Sequence, residues 1–404
     1  MSSSLVDRIF STERLRLYGI VIVLSYCLGL LGYFLAGEWL IDRHGAPVVT
    51  DFMWLWTGGK LVLAGQAPRA FDYGFFSAMQ VPIAGPPRSD WNYYHWIYPP
   101  SLFFYVAPLG LLPYYSAFFV WTGSTLALYL ASVRAILPHR STVLLALTPV
   151  PVSINFRLGH TAFLAAGLMG FALVLIETSP FCAGLVLGGL SYKPQLGLLF
   201  PLVLLIAGQW RVIAGAAVST GLLVLASACA FGPQSWLDFA ASMGAVDPRT
   251  LMPDANLRTT LQTVFGLFEW AGAPLPVAWA AQGAISLAAT VLICLIWRQN
   301  LPYAVKAAAL AAGTLLVTPY LLAYDLVVLS IAVAFLLREA LASGFQPGER
   351  LLLLGAFALL FLFERPVGAF VLAIVFGLIL RRAFWPAPAD SFEHGEKAER
   401  HQPA

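Results

Sequence analysis

The chain has 404 residues, of which 59% are hydrophobic and only 11% are charged. Charged residues make up roughly a quarter of a typical soluble domain, so they are too few here to cover a water-soluble surface. This composition excludes a soluble enzyme and a disordered scaffold, and it predicts a polytopic membrane protein. The net charge of +3 is too small to indicate a nucleic-acid partner. The four cysteines stand apart, without the spacing of a disulfide framework or a zinc site.

A series of apolar segments predicts helices that enter the membrane, because a crossing takes about 20 apolar residues. Segment 99–112 is short for a crossing and is expected to be re-entrant or half-crossing. Together the segments predict an all-α membrane bundle of about 10–13 transmembrane helices. The candidate segments are 17–37, 99–112, 114–137, 141–156, 161–176, 180–192, 194–207, 212–231, 275–297, 303–320, 321–338, 351–363 and 366–380.

Arginines near the first and last segments set the expected orientation, because cytoplasmic loops carry an excess of Lys and Arg. We expect residues 1–385 to form a single transmembrane domain in the inner (plasma) membrane, with both termini in the cytoplasm. Loops 41–98 and 232–274 then share the outer face and are expected to carry the site. The polar tail 386–404 is expected to be disordered in the cytoplasm.

The first outer loop contains the stretch TDFMWLWTGGKLVLAG, in which Asp51 precedes an apolar run. Phe52, Leu55 and Trp56 recur at helical spacing, which predicts an interfacial helix along the bilayer surface. A carboxylate that enters an apolar face is partly desolvated and suits a general base. An aspartate at the start of a helix can instead cap its backbone N–H groups. Both interpretations of Asp51 stay open at this point.

Aromatic residues are interleaved with polar ones in PPRSDWNYYHWIYPP, residues 86–100. Aromatic rings stack on the C–H faces of sugars, and neighbouring polar groups bind sugar hydroxyls. Trp91, Tyr94, His95 and Tyr98 are therefore candidate sugar- or acceptor-binding residues. The alternative is an aromatic belt that anchors the loop at the lipid headgroups.

Lys193 in SYKPQ lies between two short apolar runs, where an unpaired ammonium group is costly. Pro194 interrupts the helix there, and such breaks are tolerated where they line a cavity. Lys193 is therefore a candidate cation for an anionic ligand, or one half of a buried ion pair. Arg157 in NFRLGH and Arg258 in NLRTT fall on the same outer face by the loop count. Arginine matches phosphate oxygens, although a solvated loop residue remains the alternative for each.

Two further stretches contain candidate binding, capping or packing residues. Tyr324 and Asp325 in TPYLLAYD lie at the outer end of a predicted hairpin, where Asp325 either contacts a ligand or caps the next helix. The small residues of GLVLGG, 184–189, are typical of close helix packing. The sequence contains no nucleotide-binding, zinc-protease or serine-hydrolase motif.

An ordered series of motifs resembles glycosyltransferase family 87, over roughly residues 15–340. The motifs are DFMWLWTGGKLVLAGQAPRAFD, IYPPSLFFYVAPLGLLP, NFRLGH, AGLVLGGLSYKPQ and FGPQSWLDF. The family consists of polytopic GT-C enzymes and includes polyprenyl-phosphate-mannose-dependent mannosyltransferases. The resemblance implies a GT-C-type bundle with interfacial helices in a large first outer loop. It also implies that the acid of that loop, here Asp51, is the catalytic base.

The reaction implied by the resemblance moves a hexose, with mannose expected, from a polyprenyl-phosphate donor to a lipid or glycan acceptor. It takes place on the outer side of the membrane and inverts the anomeric configuration. No metal or other cofactor is expected, because protein cations can balance a monophosphate leaving group. The donor, the acceptor and membrane lipids are the expected partners. The residues expected at the donor phosphate are Lys193, Arg258 and Arg157, and those expected at the sugar or acceptor are Trp91, Tyr94, His95, Tyr98, His160, Gln195, Tyr324 and Asp325.

Two alternatives come from other classes of protein. A secondary transporter or flippase for a lipid-linked or small polar substrate would place a substrate site at the break around Lys193, but it predicts an internal repeat that the sequence does not show. A non-catalytic lipid-binding subunit would need neither Asp51 nor Lys193. The family often has Gln in place of His160 and a histidine pair in place of Tyr324 and Asp325. The sugar and the acceptor are therefore left open.

Overall fold

A computed structural model of the chain describes residues 11–45, 47–48, 50–84, 96–244 and 260–385. Within these residues the regular elements are helices, apart from two isolated bridges. One bridge joins Trp39 to Ile41, and the other joins Ile41 to Pro47. The α-helices are, in chain order, α1 Thr12–Ala36, α2 Phe52–Leu63, α3 Tyr73–Ala84, α4 Phe103–Val106, α5 Tyr114–Ile136, α6 Thr142–Ala146, α7 Val150–Leu158, α8 Ala162–Thr178, α9 Pro180–Gly188, α10 Leu199–Ile206, α11 Trp210–Phe231, α12 Gln234–Gly244, α13 Val264–Trp270, α14 Leu275–Arg298, α15 Tyr303–Val317, α16 Leu329–Ser343, α17 Glu349–Leu359 and α18 Gly368–Phe384. Short 3-10 helices lie at Ala67–Phe71, Pro100–Leu102, Ala107–Leu111, Gly189–Tyr192, Pro194–Leu196, Ala323–Val328 and Leu360–Leu362.

The long helices present apolar side chains on their outer surfaces. Leu28 and Leu35 of α1, for example, expose 68% and 74% of their surface. So much exposed apolar surface would promote aggregation in water. In a membrane it contacts lipid tails, which are as apolar as leucine. In the described residues, five helices are long and apolar enough to cross a membrane, namely Glu13–Ala36, Tyr114–Ile136, Trp210–Phe231, Leu275–Arg298 and Ala323–Ser343. The chain is therefore an all-α polytopic membrane protein, as predicted.

Shorter apolar helices account for most of the remaining predicted segments. They are Pro100–Leu111, Ala162–Thr178, Pro180–Tyr192, Pro194–Ile206 and Tyr303–Val317. Predicted segment 141–156 differs, because the structure divides it into α6 and α7. Pro149 adopts an extended conformation just before α7. A proline also disfavours helical backbone at the residue before it, so the helix is interrupted at this point. The count of 10–13 crossings stays a prediction.

The described chain forms two compact units, residues 1–197 with 209–258 and residues 198–208 with 259–404. In the first unit α5 packs on α8, and α9 packs on α11. The α9–α11 contact depends on glycine, since a Cβ on Gly184 would collide with the Val212 carbonyl and a Cβ on Gly188 would lie 2.6 Å from the Cβ of Ser219. Small residues allow helix backbones to approach this closely. The predicted packing role of residues 184–189 is thereby confirmed.

The second unit is arranged around α15, which packs against α14, α16 and α18. Residues 307–312 of α15 are fully buried, as expected for a helix that is apolar on all sides. Arg382 on α18 forms an ion pair with Glu349 at the start of α17. The single domain expected over residues 1–385 stays a prediction, and the tail 386–404 lies outside the described residues.

Candidate active site

Asp51 lies immediately before α2 and is buried, with 8% of its surface exposed. Its backbone is already helical, and its side chain makes no capping hydrogen bond to α2. Capping therefore does not explain why a carboxylate occupies this position. A buried carboxylate next to this helix is a candidate for a general base.

Helix α2 is held by close contacts along its length. Phe52 packs edge-on against Phe118 of α5, with ring centroids 5.3 Å apart. A Cβ on Gly58 would lie 2.5 Å from the Trp96 ring, and a Cβ on Gly59 would collide with the Val106 carbonyl. The predicted stripe of Phe52 and Leu55 is buried, but so are Met53, Trp54 and Thr57 on other sides of the helix. The first turn, and Asp51 with it, is thus fixed within the protein.

The motif NFRLGH brings His160 next to the first turn of α2. Helix α7 ends at Leu158, and Gly159 follows with a φ of +67°, a conformation that favours glycine. A Cβ on Gly159 would lie 2.8 Å from the Cβ of Phe52, so the two backbones are in close contact. His160 follows directly and is buried, and its Nε2 shares a hydrogen bond of 3.0 Å with the Tyr98 hydroxyl.

Lys193 lies at a break between two 3-10 helices, Gly189–Tyr192 and Pro194–Leu196. It is buried, with 3% of its surface exposed. Burial and the positive charge of Lys193 together hold the pKa of His160 well below its usual range. The imidazole is therefore neutral at physiological pH, and Lys193 lies close enough to influence it.

Aromatic rings connect these segments. Trp96 stacks on Phe103, with centroids 4.8 Å apart and planes at 15°, and its ring lies 5.7 Å from that of Tyr98. Tyr98 in turn lies 6.3 Å from Tyr192, whose hydroxyl donates to the Thr161 carbonyl. Tyr98 thus lies in a cluster of buried aromatic rings, and its role at the sugar or acceptor stays a prediction. Trp91, Tyr94 and His95 lie outside the described residues.

Other predicted site residues have different surroundings. Arg157 is half-buried, and its guanidinium lies over the Tyr33 ring of α1, 5.0 Å from the centroid. Gln195 is half-buried in the 3-10 helix after Lys193. Tyr324 and Asp325 are buried in the second unit. The Asp325 carboxylate accepts a hydrogen bond of 3.1 Å from the backbone N–H of Leu322, so the capping alternative is present in the structure. Arg258 lies outside the described residues.

Sequence reasoning missed several buried polar residues of the first unit. Asn155 is fully buried, and neither atom of its amide finds a partner among the described residues. Side-chain atoms of Thr57, Thr161 and Ser191 are in the same situation. Asn155 is the first residue of the motif NFRLGH, and Ser191 is the first residue of SYKPQ. Both therefore lie in stretches that already contained predicted site residues. Buried polar groups without partners are uncommon in native proteins, and an ordered water or a ligand can satisfy them.

The arrangement combines a buried carboxylate, a buried ammonium group and a neutral imidazole in one unit. A carboxylate can accept a proton and an ammonium group can stabilise an anion, and both effects strengthen away from water. In the part of the chain that the structure describes, no three His, Cys, Asp or Glu side chains are grouped to hold a metal ion.

The chain was compared with known families, curated proteins and solved structures. No curated protein and no solved structure matches the chain. The model of glycosyltransferase family 87 matches residues 96–319, which is more than half of the chain. The matched region begins at Trp96, after Asp51, and it includes Tyr98, His160 and Lys193. The chain therefore belongs to glycosyltransferase family 87, and it is a membrane glycosyltransferase.

Proposed function

We propose that the protein transfers a hexose, expected to be mannose, from a polyprenyl-phosphate donor to a lipid or glycan acceptor, with Asp51 as general base. The observation that carries this proposal is the contact of Gly159 with Phe52. It brings the segment of His160 beside the segment of Asp51, and the charge of Lys193 acts on the same imidazole.

The proposed reaction is a single displacement. The Asp51 carboxylate takes the proton of an acceptor hydroxyl, and the hydroxyl oxygen forms a bond to the anomeric carbon. The bond from that carbon to the donor's phosphate oxygen breaks at the same time, and its electron pair leaves with polyprenyl monophosphate. Attack from the face opposite the phosphate inverts the anomeric configuration. A general base contributes typically 10²–10⁴-fold to the rate of such a step.

Negative charge grows on the departing phosphate, so a fixed cation near it lowers the barrier. Lys193 is the best supported candidate, because it is buried in the unit that contains Asp51. Arg258 and Arg157 are proposed as additional phosphate-binding residues, and the position of Arg157 over Tyr33 gives it a weaker claim. We propose that these cations make a metal ion unnecessary.

The proposed sugar and acceptor contacts follow the same residues as the sequence prediction. Tyr98, His160 and Gln195 lie in the first unit with Asp51. Trp91, Tyr94 and His95 are proposed from their sequence positions. Tyr324 and Asp325 are also proposed, with the Asp325 carboxylate holding its own backbone turn as well.

A transfer assay with purified protein in lipid vesicles tests the proposal. Polyprenyl-phosphate mannose, polyprenyl-phosphate glucose and a glycolipid mixture are supplied, and the anomeric configuration of the product is read by NMR. We expect transfer with inversion, with mannose preferred. Transfer with retention of configuration would contradict the single displacement. Movement of the lipid-linked sugar across the vesicle without transfer would support the flippase alternative.

The outward orientation has its own test. In a variant without Cys27, Cys182, Cys229 and Cys294, single cysteines are introduced at the exposed positions Gln66 and Gln299. A membrane-impermeant thiol reagent should label position 66 on intact cells and position 299 only after permeabilisation. Labelling of both from the same side would refute the proposed location of the site on the outer face.

A further inference from the structure

One buried tryptophan of the first unit differs from others in the protein. Trp39, Trp121 and Trp297 are buried, and each donates its indole N–H to a backbone carbonyl at 2.9 to 3.0 Å. Trp96 is only 2% exposed, yet its Nε1 has no partner among the described residues. A buried indole N–H usually finds a partner, so Trp96 carries a hydrogen-bond donor that the protein itself does not use.

The ring of Trp96 is held in place by its neighbours. It stacks on Phe103, with centroids 4.8 Å apart and planes at 15°, and its centroid lies 6.2 Å from that of Phe76 on α3. The backbone of α2 also lies against it, since a Cβ on Gly58 would come within 2.5 Å of the ring. These contacts fix the direction of the N–H. The unused donor is therefore preorganised, which lowers the cost of binding a partner.

The segments that contact this ring bring further polar groups. Thr57 directly precedes Gly58, and Ser101 lies shortly before Phe103. Both side chains are only 1% exposed, and their hydroxyls also find no partner in the described part of the chain. Neutral donors and acceptors of this kind match the hydroxyl groups of a sugar, whereas charged donors form the stronger bonds to an anion.

Trp96 and Asp51 border the same helix. Gly58, which lies against the Trp96 ring, is about two turns, or about 10 Å, along α2 from Asp51. A second route leads back to the first turn of α2. The ring of Tyr98 lies 5.7 Å from that of Trp96, and the Tyr98 hydroxyl bonds to His160, which follows the glycine that contacts Phe52. The unused donor therefore belongs to the segments that surround the proposed base.

We propose that the indole N–H of Trp96 donates a hydrogen bond to a hydroxyl oxygen of the glycosyl substrate. The inference rests on the proposed function and deepens it, because it adds a specificity-determining residue. The hydroxyl belongs either to the hexose of the donor or to the acceptor, and its chemistry is the same in both. A buried donor of this kind also rejects a substrate that lacks the hydroxyl, because the donor is then left unpaired.

The test deletes the N–H and compares ligands with and without the hexose. Trp96→Phe keeps an aromatic ring against Phe103 but has no N–H. If the hydroxyl belongs to the hexose, this variant should bind polyprenyl-phosphate mannose about 3- to 10-fold more weakly than wild type, the loss typical of one neutral hydrogen bond. Its binding of polyprenyl monophosphate, which carries no hexose, should be unchanged.

Donors with 2-, 3-, 4- or 6-deoxymannose identify the hydroxyl. One of them should bind wild type more weakly than the parent donor by a similar factor. Trp96→Phe should bind that deoxy donor as tightly as it binds the parent donor, because residue and hydroxyl form one interaction. A second variant carries 3-benzothienylalanine at position 96, which keeps both rings and lacks only the N–H. It should reproduce the result if the smaller ring of Trp96→Phe disturbs the fold.

The acceptor is the other source of the hydroxyl. In that case the variants bind the donor as wild type does, and the amount of glycolipid mixture needed for half-maximal transfer rises by the same factor. Equal weakening of polyprenyl monophosphate would show a contact with the phosphate and would contradict the inference. Unchanged binding and kinetics in both variants would mean that an ordered water only satisfies the N–H, and they would also contradict it.

Trp297→Phe is the matched control. The indole N–H of Trp297 donates to the Lys306 carbonyl in the second unit. Its loss leaves that carbonyl without a partner, so Trp297→Phe should lower the thermal unfolding temperature more than Trp96→Phe does. It should change neither the binding of the donor nor the use of the glycolipid mixture.

The outcomes separate this inference from the proposed function. If wild-type protein transfers hexose and the variants at position 96 match it in every measurement, the inference is wrong and the function stands. If these variants lose binding of polyprenyl-phosphate mannose but wild type transfers no hexose, the inference stands and the function is wrong. Wild-type protein that neither binds polyprenyl-phosphate mannose nor transfers its hexose would overturn both.

Discussion

Buried polar side chains are treated differently in the two units. In the second unit the amide of Gln262 is fully bonded: the two N–H groups of its Nε2 are shared among the carbonyls of Thr260, Phe363 and Arg365, and its Oε1 accepts from the Gly368 N–H. Arg382 bonds to both carboxylate oxygens of Glu349. Within the described residues of this unit, each buried side-chain nitrogen or oxygen has a partner.

The first unit leaves several such groups without partners in the protein. They include both amide atoms of Asn155, the indole N–H of Trp96 and the hydroxyls of Thr57 and Ser101. An unsatisfied buried polar group costs about 1–3 kcal/mol, so a unit that served only as scaffold would have little use for them. The comparison indicates that the buried polar groups of the second unit bond within the protein, whereas several in the first unit leave bonding capacity for ordered water or a ligand.

The largest effect on stability is expected from breaking the ion pair of the second unit. Arg382→Met leaves the Glu349 carboxylate buried without its partner, which should lower the free energy of unfolding by about 3–5 kcal/mol. Thermal unfolding measures this loss. Transfer per folded molecule should be unchanged, and Arg382→Met with Glu349→Leu should regain much of the stability. A loss of transfer at unchanged stability would show that this ion pair acts in the reaction and not only in the fold.

Removal of the buried cation from the first unit should affect the reaction more than the fold. Lys193→Met loses a charge-assisted contact with the phosphate, worth roughly 1.5–3 kcal/mol in donor kcat/KM. Arg258→Met should act in the same direction. Steady-state kinetics with donor and acceptor varied separately provide the measurement. An effect confined to the acceptor KM would count against a phosphate role.

A matched pair of amides tests the comparison directly. Asn155→Leu removes a buried amide that has no partner in the protein, so it should raise the free energy of unfolding by about 1–3 kcal/mol while transfer falls. Gln262→Leu removes an amide whose nitrogen and oxygen are both bonded within the protein, and it should lower the free energy of unfolding. Chemical denaturation in detergent measures both. Equal destabilisation by the two substitutions would remove the distinction between the units.

The smallest expected effect is the pH dependence that His160 confers. Its pKa is lower in the folded protein than the usual value of about 6.5, so the unfolded chain binds the extra proton first. The stabilisation that comes from the neutral His160 is complete above the usual pKa of about 6.5. It is lost as the pH falls from there towards the folded pKa, by at most about 1.4 kcal/mol per pH unit. Wild-type protein should lose more thermal stability between pH 7.5 and pH 5 than His160→Gln. Parallel losses would exclude a buried neutral imidazole at this position.

Local patterns predicted much of the fold, because an apolar run long enough to cross a bilayer has few other ways to satisfy its backbone. The break before α7 also has a local cause in Pro149. Asp51 and Asp325 show what local patterns do not predict, which is whether an aspartate before a helix caps it. Each precedes an apolar helix, yet Asp325 bonds to the backbone of Leu322 and Asp51 makes no capping bond to α2.

The contacts that build the site connect residues far apart in the chain. The Tyr98–His160 bond and the contact of Gly159 with Phe52 depend on how α2, α7 and the segment after Trp96 pack, which no single stretch encodes. The same packing buries α2 on nearly every side, where its sequence pattern indicated one apolar stripe. The sequence therefore named candidate residues such as Tyr98 and His160, but it did not predict that the two bond to each other.

A comparison of two aspartates of the first unit tests the proposed role of Asp51 as general base. Asp51 precedes α2 without capping it, whereas exposed Asp72 precedes α3 and accepts a hydrogen bond of 3.1 Å from the Phe75 N–H. Asparagine keeps the size of the Asp51 side chain, which caps no helix, and it can replace Asp72 as a cap, so neither Asp51→Asn nor Asp72→Asn should disturb folding. Transfer from polyprenyl-phosphate mannose should fall by at least ~10²-fold in Asp51→Asn and stay at the wild-type level in Asp72→Asn. If Asp51→Asn retains transfer within a few-fold of wild type, Asp51 is not the general base and the proposed mechanism is wrong.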